Sequence, residues 1–271
     1  MKTEAVVVKI GGAAGLQLRA ICEDIADLVH SGMQIILVHG GSAQATELGE
    51  QLDYPPRFVT SVSGHSSRFT DARTLEIFLM ATGLLNRRIV AQLQQLGVNA
   101  AGLSGMDGKL LLADRKDTLR IVDNGKRKIL RGDNSGSIRV VDVTPIRAWL
   151  DAGLLPVVAP VAISKAGEPL NVDGDRAAAC IAAALGVDRF VILTNVPGLL
   201  RDIADESSRV PQLSANELDV ALEKLARGRM KRKLIGVREA LDGGVEKVTL
   251  ADGRVERPVT RAMAGEGTVI Q

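Results

Sequence analysis

Val6-Val7-Val8-Lys9-Ile10-Gly11-Gly12 is the stretch from which the fold class is read. A run of β-branched residues ending in a lysine and two glycines predicts a buried strand that delivers a cation to a loop able to wrap an anion. A second strand is predicted at Ile35-Ile36-Leu37-Val38, and it too runs into glycines, at His39-Gly40-Gly41-Ser42. Between the two, Ile21, Ile25, Leu28 and Val29 recur at helical spacing, and Ser31-Gly32 stops that helix. The result is a β-α-β unit, whose right-handed crossover sets both glycine turns on one edge of a parallel sheet. This is the outline of a phosphate site. Neither turn carries G-x-G-x-x-G, and the P-loop pattern G-x-x-x-x-G-K-S/T is absent, which disfavours Rossmann and P-loop readings.

Bulk properties narrow the function further. The 271 residues are 46% hydrophobic and 24% charged, as in an ordinary globular protein with a sizeable core. With 34 basic against 32 acidic residues, the net charge of +2 gives no global attraction to nucleic acid or membrane. Aromatic residues make up only 2%, so base-stacking platforms are missing and a bound adenine would lie against aliphatic groups. Cys22 and Cys180 fall in apolar helical patterns without C-x-x-C spacing and are expected as buried thiols. There is neither a signal-peptide pattern nor an uncharged run of about 18 residues, so a cytoplasmic protein is expected.

The rest of the chain reads as alternating strands, helices and polar loops. A short helix near Ala43–Leu52 precedes the stiff Tyr54-Pro55-Pro56-Arg57-Phe58 and the polar, flexible loop Ser63-Gly64-His65-Ser66-Ser67-Arg68. Thr70 or Asp71 can cap a long helix reaching about Leu96, and Arg68, just before it, is placed to clamp a carboxylate at two points. The stripe Leu75, Phe78, Leu79, Thr82, Leu85, Ile89, Leu93 and Leu96 suits either core packing or a homodimer seam. Residues 101–141 read as a β-hairpin excursion turning at Asn124-Gly125. That hairpin is rich in basic residues, among them Arg115, Lys116, Lys126, Arg127, Lys128 and Arg131, and forms either a solvated face or a landing surface for an acidic partner. Asn171-Val172-Asp173-Gly174-Asp175 opens an alanine-rich helix with more acids than one cap needs, a device for ordering lysines or a metal-bound phosphate. A further strand, Phe190–Leu193, ends at Thr194-Asn195-Val196-Pro197-Gly198-Leu199, with Asp202 beyond. Gly228-Arg229-Met230-Lys231-Arg232-Lys233 sets cations at a helix start, where the dipole prefers anions, and a phosphate there resolves the conflict.

Taken in order, Lys9-Ile-Gly-Gly, His39-Gly-Gly-Ser, Arg68-Phe-Thr-Asp, Asn171-x-Asp-x-Asp175, Asn195-Val-Pro-Gly and Gly228-x-Met-x-x-Lys233 resemble the amino acid kinase family, in its acetylglutamate kinase branch. Pro55-Pro-Arg-Phe58, the stretch Gly102–Gly108, Arg131-Gly-Asp133, Gly228–Lys233 and Ala251-Asp-Gly-Arg254 look like the branch acting on aminoadipate linked to the LysW carrier. The resemblance implies an α/β fold, a three-layer αβα sandwich around a mainly parallel sheet. It implies an N-terminal lobe, 1–180, for the acceptor and dimerisation, and a C-terminal lobe, 181–271, for ATP. The implied reaction is transfer of a phosphoryl group from ATP, bound with Mg2+, to the side-chain carboxylate of α-aminoadipate, or of glutamate, carried on a small acidic protein.

By the same resemblance, Lys9 and Lys233 would stabilise the moving phosphoryl group and Asp175 would hold both lysines. Gly41, Ser42, Arg68 and Asn171 would bind the acceptor. Gly11, Gly12 and Gly40 would cradle phosphate, Thr194, Asn195, Gly198, Leu199 and Asp202 would line the nucleotide pocket, and Lys126, Arg127, Lys128 and Arg131 would dock the carrier. No metal-binding residues are implied, because magnesium arrives with ATP. Lys231 is a possible substitute for Lys233, although the Met-x-x-Lys spacing favours the latter. Ser42-Ala43 and Asp173 depart from the acetylglutamate kinase pattern and argue against a small acetylated substrate. An acetylglutamate kinase and a non-catalytic ligand sensor on the same fold stay open as alternatives.

Overall fold

The structure is a computed structural model that describes residues 5–13, 15–62, 64, 66–123 and 125–271. Eight strands form the main sheet: β1 (Ala5–Ile10), β2 (Gln34–His39), β5 (Ala100–Ser104), β8 (Leu155–Ala159), β11 (Arg189–Thr194), β12 (Gln212–Leu213), β13 (Lys247–Asp252) and β14 (Thr268–Ile270). Their spatial order is β12-β14-β13-β11-β1-β2-β8-β5, parallel throughout except where β14 runs against β13. The opening stretch is therefore a central strand, hydrogen-bonded on both sides, to β2 and to β11.

Side-chain alternation on β1 sorts the two faces. Val6, Val8 and Ile10 join Ile35, Leu37, Val191 and Leu193 in a core covered by α1 (Leu18–His30), α3 (Ala72–Gln95) and α8 (Pro258–Met263). Val7 points the other way, with Ile36, Val38, Phe190 and Ile192, under α5 (Gly174–Leu185) and α7 (Gly228–Asp242). Helices on both faces make the three-layer αβα sandwich that the resemblance implied. Because side chains alternate with period two, Lys9 shares the face of Val7 and must meet α5 and α7. His39 shares the face of Leu37 and must meet α3.

The remaining strands form a second sheet in the order β4-β3-β6-β7-β10-β9. These are β3 (Phe58–Ser61), β4 (Ser66–Arg68), β6 (Leu111–Asp123), β7 (Lys126–Val141), β9 (Val161–Ile163) and β10 (Pro169–Asn171). The hairpin is thus β6–β7. The sequence reading begins the excursion at residue 101; that start is corrected, because Ala100–Ser104 is an edge strand of the main sheet beside β8. The Asn124 half of the expected turn lies outside the described residues, as do Ser63 and His65 of the polar loop; Gly125 takes a left-handed φ of 74°.

Helix starts follow local chemistry. The Asp71 carboxylate caps α3 by accepting from the Thr74 N–H at 2.8 Å, and Asp173 caps α5 by accepting from the N–H groups of Asp175 and Arg176 at 3.0 and 3.1 Å. The α3 stripe read as a possible seam packs inward, with Leu75, Phe78, Thr82, Ile89 and Leu93 buried, whereas Met80 and Leu84 on the helix's other side are exposed. Cys22 is buried, and burial pushes its thiol up to about 12; Cys180 is only half-buried, a correction to the sequence reading. The 180/181 lobe boundary falls inside α5, so the two expected lobes share that helix and one continuous sheet. Among the described residues no helix is long and apolar enough to cross a membrane.

Candidate active site

At the C-terminal ends of β1, β2 and β11 lies a cavity of about 700 Å³, where parallel sheets place their ligands. Its first wall is the pair of glycine turns. A Cβ on Gly12 would stand 2.7 Å from the Gly41 nitrogen and 3.0 Å from that of Ser42, and one on Gly40 would strike the Gly12 backbone. Only glycines allow the two loops to touch. The Ala43 N–H donates to the Gly12 carbonyl at 2.9 Å and the Gly11 N–H to the Leu193 carbonyl at 3.0 Å, which ties the loops to each other and to β11.

Lys9 reaches across from β1 as the alternation requires, its Nζ 2.5 Å from Asp175 Oδ1. From α7, Lys233 Nζ lies 3.2 Å from the same oxygen and 3.3 Å from Oδ2. Lys9 and Asp175 are 4% and 8% exposed, so the trio carries its net positive charge in a poorly solvated place. Burial opposes ionisation of Asp175, but the ammonium groups of Lys233 and Lys9 outweigh it and hold the carboxyl well below the usual carboxylate range. Burial also depresses Lys233 below the ordinary lysine value, with Lys9 adding repulsion and Asp175 opposing. Lys231 is absent from the cavity lining, so geometry selects Lys233.

Cations dominate the walls. Eight line the cavity (Lys9, Arg68, Lys116, Arg176, Arg227, Arg229, Arg232 and Lys233) against two carboxylates, Asp173 and Asp175. The starts of α2 (Ser42–Gln51), α5 and α7 open onto the same space, and α7 has no side-chain cap. Helix N-termini and unbalanced cations together make an anion site.

On the opposite side, Arg68 Nη2 donates to the Ser42 carbonyl at 3.0 Å and to Thr46 Oγ1 at 2.8 Å, and its guanidinium lies 5.2 Å from the centre of the Phe58 ring. Burial, with Arg229 nearby, lowers its pKa. Asn171 Nδ2 donates to Thr70 Oγ1 at 3.0 Å. Thr70 in turn donates its N–H to Asp133, which is fully buried and also accepts from the Ser135 N–H and hydroxyl. This network joins the hairpin to the strand that carries Asn171.

Gly41, Ser42, Arg68, Asn171, Gly11, Gly12, Gly40, Thr194, Asn195, Gly198 and Leu199 all line the cavity with the lysine–aspartate trio. Asp202 does not; its Oδ1 accepts from the Ala204 N–H at 2.9 Å in an exposed turn. Lys126, Arg127, Lys128 and Arg131 are exposed on the outer hairpin, away from the lining, and Lys128 pairs with Asp123 at 2.7 Å. An aliphatic slot of Val196, Leu200, Ile203, Leu225 and Met230 accompanies the β11 loop, in keeping with the scarcity of aromatic residues.

One positioning pair escaped the sequence reading. His39 is fully buried. Its Nδ1 lies 2.6 Å from the Gly40 carbonyl, which can only accept, so Nδ1 carries the proton and Nε2 accepts from Asn86 Nδ2 at 3.1 Å. Burial lowers this imidazole to about 4. Asn86 also donates to the Val157 and Leu103 carbonyls, at 2.8 and 3.3 Å. Nothing in the spacing of α3 marks one polar residue in its middle as the support for a glycine turn 46 positions earlier, which is why only the fold reveals it.

The site can be set beside known proteins. The profile described as "Amino acid kinase family" matches residues 4–252. LysW-aminoadipate kinase of Deinococcus radiodurans is 49% identical over 98% of this chain and 91% of its own length. The Thermus thermophilus protein of the same name is 47% identical over 98% of this chain and all of its own. A LysW-aminoadipate/LysW-glutamate kinase of Saccharolobus islandicus is 38% identical over 98% of both chains. Among solved structures, N-acetylglutamate synthase from Neisseria gonorrhoeae superposes with a TM-score of 0.80 at 26% identity, covering all of this chain and 60% of the other. Giardia lamblia carbamate kinase bound to AMP-PNP, with a TM-score of 0.71 at 15% identity over 98% of both chains, shares the fold. A match that runs from residue 4 to residue 252, with relatives alike over nearly their whole lengths, makes this chain a member of the amino acid kinase family.

Proposed function

We propose that the protein is an ATP-dependent kinase that phosphorylates the side-chain carboxylate of α-aminoadipate carried on a LysW-type protein, giving an acyl phosphate for lysine biosynthesis. The observation that carries this reading is the buried Lys9–Asp175–Lys233 trio at the strand ends, in a chain 49% and 47% identical to proteins named LysW-aminoadipate kinase. We include carrier-linked glutamate, which the Saccharolobus kinase's name contains, as a second acceptor in this proposal, and with it a role in arginine biosynthesis.

The chemistry follows from charge. A carboxylate must approach the γ-phosphorus in line although both partners are anionic, so catalysis is mainly positioning and cationic stabilisation. Arg68, Asn171, Gly41 and Ser42 hold the acceptor, while Thr194, Asn195, Gly198 and Leu199 hold the nucleotide, with the aliphatic slot against adenine. The backbone of Gly11, Gly12 and Gly40 walls the phosphate side of the cavity, with the Gly11 and Gly40 N–H groups spent on the Leu193 and Ile10 carbonyls, which fixes the turns. Lys9 and Lys233 flank the transferring group, and Asp175 keeps both ammoniums aimed while remaining ionised. Fixed donors of this kind contribute on the order of 10²–10³ each in rate.

The donor set does not fit a protein-held magnesium ion. Asp175 is engaged by two lysines and Asp173 by two backbone N–H groups. No group of three or more His, Cys, Asp or Glu among the described residues could hold a metal. Magnesium belongs to the nucleotide phosphates. Residues 1–180 serve as the acceptor lobe and 181–271 as the ATP lobe, in a cytoplasmic homodimer whose seam uses the exposed Met80 and Leu84 of α3. Lys126, Arg127, Lys128 and Arg131 dock the acidic carrier.

The test is hydroxamate formation from ATP and hydroxylamine. It should require aminoadipyl carrier, with glutamyl carrier run alongside. Equal turnover of free N-acetylglutamate refutes the carrier-linked reading.

A further inference from the structure

We infer that Lys116, supplied by the β6–β7 hairpin, is a third cation of the phosphoryl-transfer site and contacts the acceptor carboxylate as it meets the γ-phosphate. The inference rests on the kinase reading above and adds a residue to it.

The hairpin is irregular at one place, and Lys116 sits there. Arg115 pairs with Gly136 and Asp117 with Asp133, so Lys116 has no partner across the ladder, and the register shifts again before Thr118. Asp117 takes a φ of 45°, a left-handed conformation unusual for a residue with a side chain. Bulges re-aim side chains. Here Lys116 lines the cavity while both of its neighbours, Arg115 and Asp117, do not. The displaced geometry is anchored, because Arg115 Nε donates to the Asp133 carbonyl at 3.0 Å and the Asp133 carboxylate accepts from the Thr70 N–H at 2.9 Å. Ser135, bonded to that carboxylate, is the residue on β7 that pairs with Asn171. Lys116 therefore rises from the fixed root of the hairpin, beside the acceptor strand, and not from its exposed tip.

Charge points the same way. Lys9 and Lys233 share Asp175, Arg176 is bonded to Glu239 at 2.5 Å, and Arg232 lies 3.8 Å from Asp173. Lys116 forms no ion pair with any described residue, a condition it shares with Arg68, Arg227 and Arg229 on the same cavity, so the wall keeps a surplus of unneutralised cations. Lys116 is exposed overall, and desolvation where it meets the cavity wall, together with repulsion from Arg176, lowers its pKa, while Asp133 and Asp173 oppose the shift. An unpaired ammonium held there against repulsion is suited to a dianionic meeting point. In the transfer step a carboxylate oxygen of the acceptor forms the new O–P bond to the γ-phosphorus. The bond from that phosphorus to the bridging oxygen breaks, with its electron pair leaving on ADP. Lys116 stays protonated throughout and offsets charge on the incoming oxygen.

The experiment compares Lys116→Met and Lys116→Arg with the parent enzyme, using ATP and aminoadipyl carrier and measuring kcat, both KM values and carrier affinity by calorimetry. Parent turnover comes first; if the parent is inert, the kinase reading itself fails. Given an active parent, Lys116→Met should lose about 100-fold in kcat. Its KM for ATP and its Kd for the carrier should stay within about threefold, and Lys116→Arg should recover at least about tenfold of the loss. A kcat within threefold of the parent in Lys116→Met overturns the inference. So does a loss confined to carrier affinity, or an equal loss in both variants.

Discussion

Replacing Asp175 by asparagine removes the carboxylate that the two ammonium groups share while keeping the side chain's size. Both nitrogens bond the same oxygen, at 2.5 and 3.2 Å, which sets them within about 6 Å of each other. At an effective dielectric constant of about 20, their repulsion at that distance is about 3 kcal/mol, equivalent to about two pKa units. In the parent this repulsion is offset by Asp175; in Asp175→Asn it acts on the lysines, and burial already depresses Lys233. A lysine whose value falls is charged below that value and neutral above it. Residual activity of Asp175→Asn should therefore decline as pH rises through neutrality into the mildly alkaline range, where the parent is still active. The expected loss in kcat near pH 7 is about 10³-fold, with nucleotide affinity changed by less than about tenfold. A hydroxamate-based pH–rate profile, with nucleotide binding by calorimetry, reads both. If Asp175→Asn keeps kcat within fivefold of the parent and the same alkaline limb, the lysines do not act as a coupled pair and the argument fails.

Other consequences are as direct. Gly12→Ala drives a methyl group against the Gly41 and Ser42 nitrogens at 2.7 and 3.0 Å; it should destabilise the fold by about 1–3 kcal/mol and weaken ATP binding, as read by calorimetry of unfolding and by nucleotide titration. His39 is held neutral in the fold at about 4, against 6.5 for the free group, so the unfolded chain binds the extra proton first and stability falls as pH drops from about 6.5 to 4, by about 3 kcal/mol. Urea titrations across that window should show a shallower acid slope in His39→Gln, and an unchanged slope would refute the assignment. Asp133→Ala leaves the N–H groups of Thr70 and Ser135 without their acceptor; the KM for carrier-linked acceptor should rise about tenfold while that for ATP stays constant, and equal effects on both substrates would mean that the hairpin root does not serve the acceptor side alone.

Much of the site is legible in the chain because local rules constrain it strongly. Strands that end in Lys9-Ile10-Gly11-Gly12 and His39-Gly40-Gly41 have one arrangement in a β-α-β unit, and period-two alternation alone assigns Lys9 to the α5–α7 face. Asp173 and Asp175 illustrate the next level. Their excess over one cap was readable, but only the fold divides the labour, with Asp173 on backbone N–H groups and Asp175 on two lysines. Lys233 over Lys231 was favoured by spacing and decided by which face of α7 meets the cavity.

What escaped the sequence depends on breaks in local regularity or on contacts between distant segments. The α3 stripe could not be assigned to core or seam, because an apolar face looks the same in either role until its partner is known. Ala100–Ser104 looked like part of the hairpin, since short glycine-punctuated strands do not declare which sheet they join. Asn86 carries no sign of its bond to His39, 47 residues away, and Lys116 was one basic residue among many until a bulge set it on the cavity wall. Periodic patterning, glycine turns and capping residues determined the β-α-β unit, its two glycine turns and the strand that carries Lys9 from the sequence alone, while the pairing of Lys9 with Lys233 came from the family resemblance. Tertiary structure decided which cations converge, because convergence depends on chain crossings and register shifts that no local pattern encodes.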